Sequence, residues 1–168
     1  MGEPAVKGEP IAAGASRRNL TRYEDDLFTW VQEQVALLRA GSLDALDLAN
    51  IAEELSDVGG AQYDRLESAL RVLLMHMLKW DQQPEMRTPS WFYSIMEQRR
   101  RYERLIKKNP GLKSSLDEIR DDIYPIARNW AADETLLPVS EFPDACPYTW
   151  DDLLNRPFDF DSVKKQRP

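Results

Sequence analysis

A single cysteine, a single histidine and a deficit of basic residues set the first limits on this 168-residue chain. With Cys146 alone, no disulfide can form within the chain, and so sparing a use of thiols fits a reducing compartment. With His76 alone, a di-iron carboxylate bundle is excluded, because that centre needs two Glu-x-x-His pairs. The 22 Lys and Arg against 29 Asp and Glu give a net charge of −7, so nucleic-acid binding would need a local basic patch. Long apolar runs are missing too. The most apolar stretch, Val72 to Leu78, is closed by Arg71 and Lys79 and falls far short of the ~20 residues that span a bilayer. Ile11 to Ala15 is too short for the apolar segment of a secretory signal. A cytoplasmic protein without membrane association is expected. There is no alternating strand pattern, internal repeat or low-complexity segment either.

What is present is helical. Hydrophobic residues at 42% and charged residues at 30% suit one folded domain with ragged ends. Residues 1–20 mix Gly, Pro and small side chains without apolar periodicity and are expected to be a disordered tail, as are residues 161–168. Thr21 and Glu24 form a T-x-x-E capping pattern, after which Leu27, Val31, Val35 and Leu38 mark one buried helix face that ends near Gly41. Ser42 or Asp44 can cap a second helix with a buried stripe of Leu48, Ile51, Ala52 and Leu55, stopped by Gly59 and Gly60.

A third helix carries Tyr63, Leu66, Leu70, Leu73, Met77 and Trp80 at spacings of three and four, and Leu74 and Leu78 widen that stripe, so it should lie centrally. Gln83-Pro84 and Thr88-Pro89 then break the helix. A fourth helix begins near Ser90 or Trp91 and turns Trp91, Ile95, Gln98, Tyr102 and Leu105 inward until Asn109. A fifth shows Leu112, Leu116, Ile119, Ile123, Ile126 and Trp130, with a kink expected at Pro125. Beyond Thr135, prolines interleave with Phe142, Tyr148, Trp150, Phe158 and Phe160, which predicts an extended arm held down by its aromatics, with Thr149 and Asp152 capping one short helix. The expected fold is all-α: a single-domain bundle of about five helices over residues 21–135 with a docked C-terminal arm over 136–160.

Several segments together resemble the bacterial family catalogued as domain of unknown function twenty-nine. They are IAEEL at 51–55, LESALRVLLMHMLKW at 66–80 with the Gln83-Pro84 that follows, SWFYSIMEQRRR at 90–101 and FPDACPYT at 142–149. The resemblance spans roughly Tyr23 to Leu154. It implies a small all-helical protein and implies no activity, so no catalytic residue is carried over.

Two charged groups invite chemistry. Between Ala40 and Asp64 stand six acids, including Glu53, Glu54 and Asp57, and no Lys or Arg. Segment 97–108 holds Arg99, Arg100, Arg101, Arg104, Lys107 and Lys108 against Glu97 and Glu103, a net +4. The segregation predicts that the acidic helix faces the basic one, with Glu53 or Glu54 forked to an arginine. A solvated face is one alternative and a divalent cation, which grouped carboxylates suit, is another. Glu53 to Asp57 also resemble the EExxD element of all-helical nucleotide pyrophosphatases, but the second acidic pair those enzymes need is reduced to Glu33 between Gln32 and Gln34.

His76, among Leu73, Met75, Met77 and Trp80, is expected to be a buried, neutral core histidine bonded to a neighbour such as a glutamate of the second helix. Cys146, followed by Pro147, is expected to be a small buried hydrophobe rather than a nucleophile paired with His76. The basic stripe could meet nucleic acid, yet Glu97 with Arg101 and Glu103 with Lys107 are also favourable pairs one turn apart.

The functional expectation is a non-catalytic binding or protein-interaction module, with another protein as partner and no cofactor, metal or membrane. A metal-dependent hydrolase built on Glu53, Glu54, Asp57 and His76, and a nucleic-acid binder using residues 97–108, stand as the alternatives.

Overall fold

Asp26, one residue ahead of the first apolar repeat, opens the first helix. In the computed structural model, which describes residues 20–159, α1 spans Leu27–Ala40 and the Asp26 carboxylate accepts the Thr29 amide at 3.0 Å. The capping box expected at Thr21 and Glu24 does not form. A cap reaches only the second or third amide of its own helix, and Thr21 lies too far upstream; it donates its amide to Glu33 at 2.7 Å instead. Gly41 closes α1 in the left-handed conformation, φ 70°, with its N–H on the carbonyls of Leu37 and Leu38.

The buried face of α1 is Trp30, Gln34 and Leu37, not the expected Leu27, Val31, Val35 and Leu38. Polar satisfaction fixes this rotation. The Trp30 indole N–H donates to Asp47 at 3.3 Å, and Gln34 Oε1 accepts the Asp47 amide at 2.9 Å. Leu27 and Leu38 are left exposed and Val31 and Val35 half-buried.

The two helices expected on either side of Gly59-Gly60 are one: α2 runs over Leu48–Gln82, 35 residues. A glycine stop needs the left-handed conformation, and among the described glycines only Gly41 adopts it. Two glycines inside a helix cost about 1 kcal/mol each relative to alanine, which good helix formers on both sides outweigh. The expected buried stripe before them is exposed, Leu48 at 66% and Leu55 at 67%, whereas Leu66, Leu70, Leu73, Leu74, Met77 and Leu78 are fully buried. The chain divides into two compact units, Met1–Val58 and Gly59–Pro168, and the division falls inside α2.

In the second unit, α3 spans Pro89–Lys108, with Thr88 as its cap and Pro89 in the first turn, where a missing N–H does no harm. α4 spans Leu116–Thr135 and runs through Pro125, which is exposed and leaves the carbonyl one turn back without its helical donor. Ile119, Ile123, Ala127 and Ala131 face inward; Ile126 and Trp130 of the expected stripe turn out, and the Arg71 guanidinium lies 4.9 Å from the Trp130 ring. Thr149 and Asp152 form the capping box of a short α5, Trp150–Asn155.

The core joins the second half of α2 to Ile95, Tyr102, Ile119 and Ile123, and is completed by Phe142, Tyr148 and Leu153 of the arm. Among the described residues there is no strand, and no helix is long and apolar enough to cross a membrane. The tails expected at 1–20 and 161–168 lie outside the described residues, apart from Leu20.

Candidate functional site

The acidic group of α2 is held by a phenol rather than by arginine. Tyr23 donates its hydroxyl to Glu54 Oε1 at 2.7 Å, and that bond, with desolvation and the charges of Glu54, Glu53 and Asp57, pushes the phenol up to about 12. Tyr23 is itself set by an edge-on contact with Trp30, ring centres 5.1 Å apart. Glu53 and Asp57 are exposed. A hollow of ≈ 430 Å³ in the same unit is walled by Trp30, Gln34, Leu46 and Asp47, and the Asp47 carboxylate is already bonded to Trp30 and Asn50.

His76 is buried, at 9% exposure, as expected, but its partner is not a glutamate. Nδ1 lies 2.9 Å from the Val72 carbonyl of its own helix. A carbonyl only accepts, so this nitrogen carries the proton and the ring is held in one tautomer. Desolvation is the largest influence and lowers the pKa; Lys79 lowers it as well, against the Val72 bond and Glu134.

Lys79, which sequence reasoning passed over, is buried beside the same core. It forms an ion pair with Glu134, and its ammonium lies 4.4 Å from the centre of the Trp91 ring. A lysine inside so apolar a run was the available signal. Glu53, Glu54 and Asp57 belong to the first unit and His76 to the second. Among the described residues no three of His, Cys, Asp and Glu form a group able to hold a metal ion.

Six cations of one helix divide into three roles. Arg99 is buried and turns to the arm, donating to the carbonyls of Leu153, Asp152 and Arg156 at 2.7, 2.9 and 2.8 Å. These are the last carbonyls around α5, so the guanidinium acts as a C-terminal cap reached from another helix. Desolvation, with a contribution from Arg156, lowers its pKa. Arg156 in turn forks onto Asp81, which also accepts the Tyr148 hydroxyl at 2.8 Å, and Phe158 lies against both guanidiniums, 5.0 Å from each. Arg100 and Arg104 face Glu97 at 4.0 and 3.1 Å. The expected bonds to the helix-two glutamates and the expected pairs Glu97 with Arg101 and Glu103 with Lys107 are absent among the described residues; Arg101 meets Gln98 at 3.4 Å, and Lys107 is exposed.

Three cations of the helix, Arg104 among them, also line a cleft. Arg101, Arg104 and Lys108 on α3 join Arg65 and Gln62 of α2 around an open cleft of ≈ 270 Å³, with Leu105 as its apolar wall. Arg65 belongs to a segment read only for its leucines, so its part in the cleft went unseen. Cys146 is half-buried, its Sγ 3.8 Å from the Tyr148 carbonyl; burial raises its pKa, which suppresses the thiolate, and it does not bond His76.

A family model described as "Domain of unknown function DUF29" matches residues 22–159. No curated protein and no solved structure matches the chain.

Proposed function

The chain belongs to the DUF29 family, and on that premise we propose that it is a non-catalytic, cytoplasmic protein-interaction module whose first unit docks an apolar, basic segment of a partner protein. One observation carries the reading: two apolar stripes of core type are left outward in that unit. On α1 they are Leu27 and Leu38 with half-buried Val31 and Val35 between them, and Phe28 beside them is 75% exposed; on α2 they are Leu48, Ala52 and Leu55. Grouped exposed apolar side chains on a small unit mark interaction surfaces, and helices present them at spacings that a partner helix can match.

Charge names the partner's chemistry. Residues 20–58 hold nine Asp and Glu against Arg22 and Arg39 alone, a net −7. A docking segment with Leu or Phe along one face and Lys or Arg at its edges satisfies both features.

The probe is an amphipathic Leu/Lys helical peptide, followed by chemical-shift mapping on the full chain, with a Leu/Glu peptide of the same pattern as control. Saturable shifts at Phe28, Leu48 and Leu55, lost in a folded Leu55→Glu variant and absent with the Leu/Glu peptide, are expected. No shifts, equal binding of both peptides, or a dimer in sedimentation that covers these residues would overturn the reading.

A further inference from the structure

The cleft between Gln62 and Arg65 of α2 and Arg101, Arg104 and Lys108 of α3 lies in the second unit and is independent of the apolar stripes. We propose that it is a binding site for a small polyphosphate, a di- or triphosphate group, free or carried by a nucleotide.

Repulsion is the first argument. Arg104 and Lys108 are one helical turn apart, and like charges at that spacing destabilise a helix; Arg101 lies on the same face, and Arg65 adds a fourth cation from another helix. Local carboxylates do not cancel them. Glu97 takes Arg104, Arg101 meets only the neutral Gln98, and Arg65 and Lys108 have no carboxylate partner among the described residues. About three positive charges stay uncompensated in one concavity, without a structural duty such as Arg99 has.

Geometry supplies the second argument. The Arg65 and Arg101 guanidiniums can offer planar forks that match phosphate oxygens two at a time, Arg104 adds charge while bonded to Glu97, Lys108 adds a point charge, and the Gln62 amide can donate as well. A single carboxylate would leave most of this charge unmet, whereas a di- or triphosphate meets it. The ≈ 270 Å³ volume suits a phosphate chain and falls below the ~300–1,000 Å³ of sites that enclose a whole drug-sized molecule.

Calorimetric titration at constant ionic strength tests this with sodium tripolyphosphate, ATP and a single-stranded oligonucleotide as separate probes. Tripolyphosphate should bind saturably at one site and weaken by about tenfold or more in Arg65→Gln and in Arg101→Gln. The control Lys107→Gln, the same charge change outside the cleft, should bind as wild type does. ATP binding equal to tripolyphosphate places recognition in the phosphates alone, and tighter ATP binding adds the nucleoside; both support the site. If Arg101→Gln lowers the melting temperature, exposed Arg65→Gln decides. No saturable heat, equal weakening in Lys107→Gln, an unaffected Arg65→Gln, or binding confined to the oligonucleotide would overturn the proposal.

Discussion

Residues 48–60 and 66–80 belong to one helix and live in different solvents. Both carry leucines at helical spacing, yet Leu48 and Leu55 are about two-thirds exposed while Leu66, Leu73 and Leu78 are fully buried. The difference lies in what flanks each stripe. The later segment has apolar residues on adjoining faces, Leu74 and Met77 among them, and can be surrounded; the earlier one has Asn50, Glu53 and Glu54 between its leucines and can be covered on one side at most. Periodicity specifies a face. It leaves open whether the covering surface comes from the same chain.

The sharpest way to break the comparison is to truncate a leucine in each half. Leu73→Ala should cost about 2–5 kcal/mol by opening a cavity in the core, and Leu55→Ala less than about 0.5 kcal/mol, both read by urea denaturation. A similar loss at Leu55 would mean that the first half is covered within the molecule.

The join between the halves comes next. A methyl group added at Gly59 or Gly60 meets nothing within 4 Å, so the double change Gly59→Ala with Gly60→Ala should raise stability by up to about 2 kcal/mol. A fall in melting temperature would show that the glycines are needed there.

The halves should also titrate differently. Burial holds the folded pKa of His76 below its ordinary 6.5, so its contribution is fully present above pH 6.5 and is lost as pH falls through the folded value. Wild type should therefore lose stability on acidification relative to His76→Gln, and parallel pH profiles would refute a desolvated ring. At neutral pH the variant should differ little, because the Val72 carbonyl keeps its helical amide donor. In the outer half, Glu54→Gln should bring the Tyr23 phenol down from about 12 toward 10, followed by ultraviolet titration, with no marked change in stability. An unmoved phenol would mean that the bond to Glu54 does not govern it.

Much of the fold was legible in the sequence. The stripe from Leu66 to Trp80, the turn at Thr88-Pro89 and the Thr149–Asp152 cap each follow from residue types a few positions apart, which spacing records. Other features depend on partners far along the chain. The rotation of α1 follows from Asp47 bonding Trp30 and Gln34, and either stripe of α1 was apolar enough to be the inner one. The run through Gly59-Gly60 follows from backbone angles that a glycine leaves free. For the candidate sites, burial of His76 could be read from its neighbours. Arg99 could not be separated from the arginines beside it, because backbone carbonyls, which every residue has, leave no mark on the sequence. The cleft was half visible, as a basic stripe on α3 still missing Arg65.

The reach of Arg99 has a consequence for biosynthesis. Its first carbonyl partner, Leu153, lies 54 residues downstream. At ~5–20 residues per second, translation takes roughly 3 to 11 s to cover that interval. During it, α2 and α3 are already made, but Phe142, Tyr148 and Leu153 are not yet in place over the core, and the guanidinium has no carbonyls to meet. The second unit therefore closes late in synthesis, after the arm has left the ribosome, and an interruption before Leu153 yields a nascent chain with an open hydrophobic side, a substrate for chaperones and proteases.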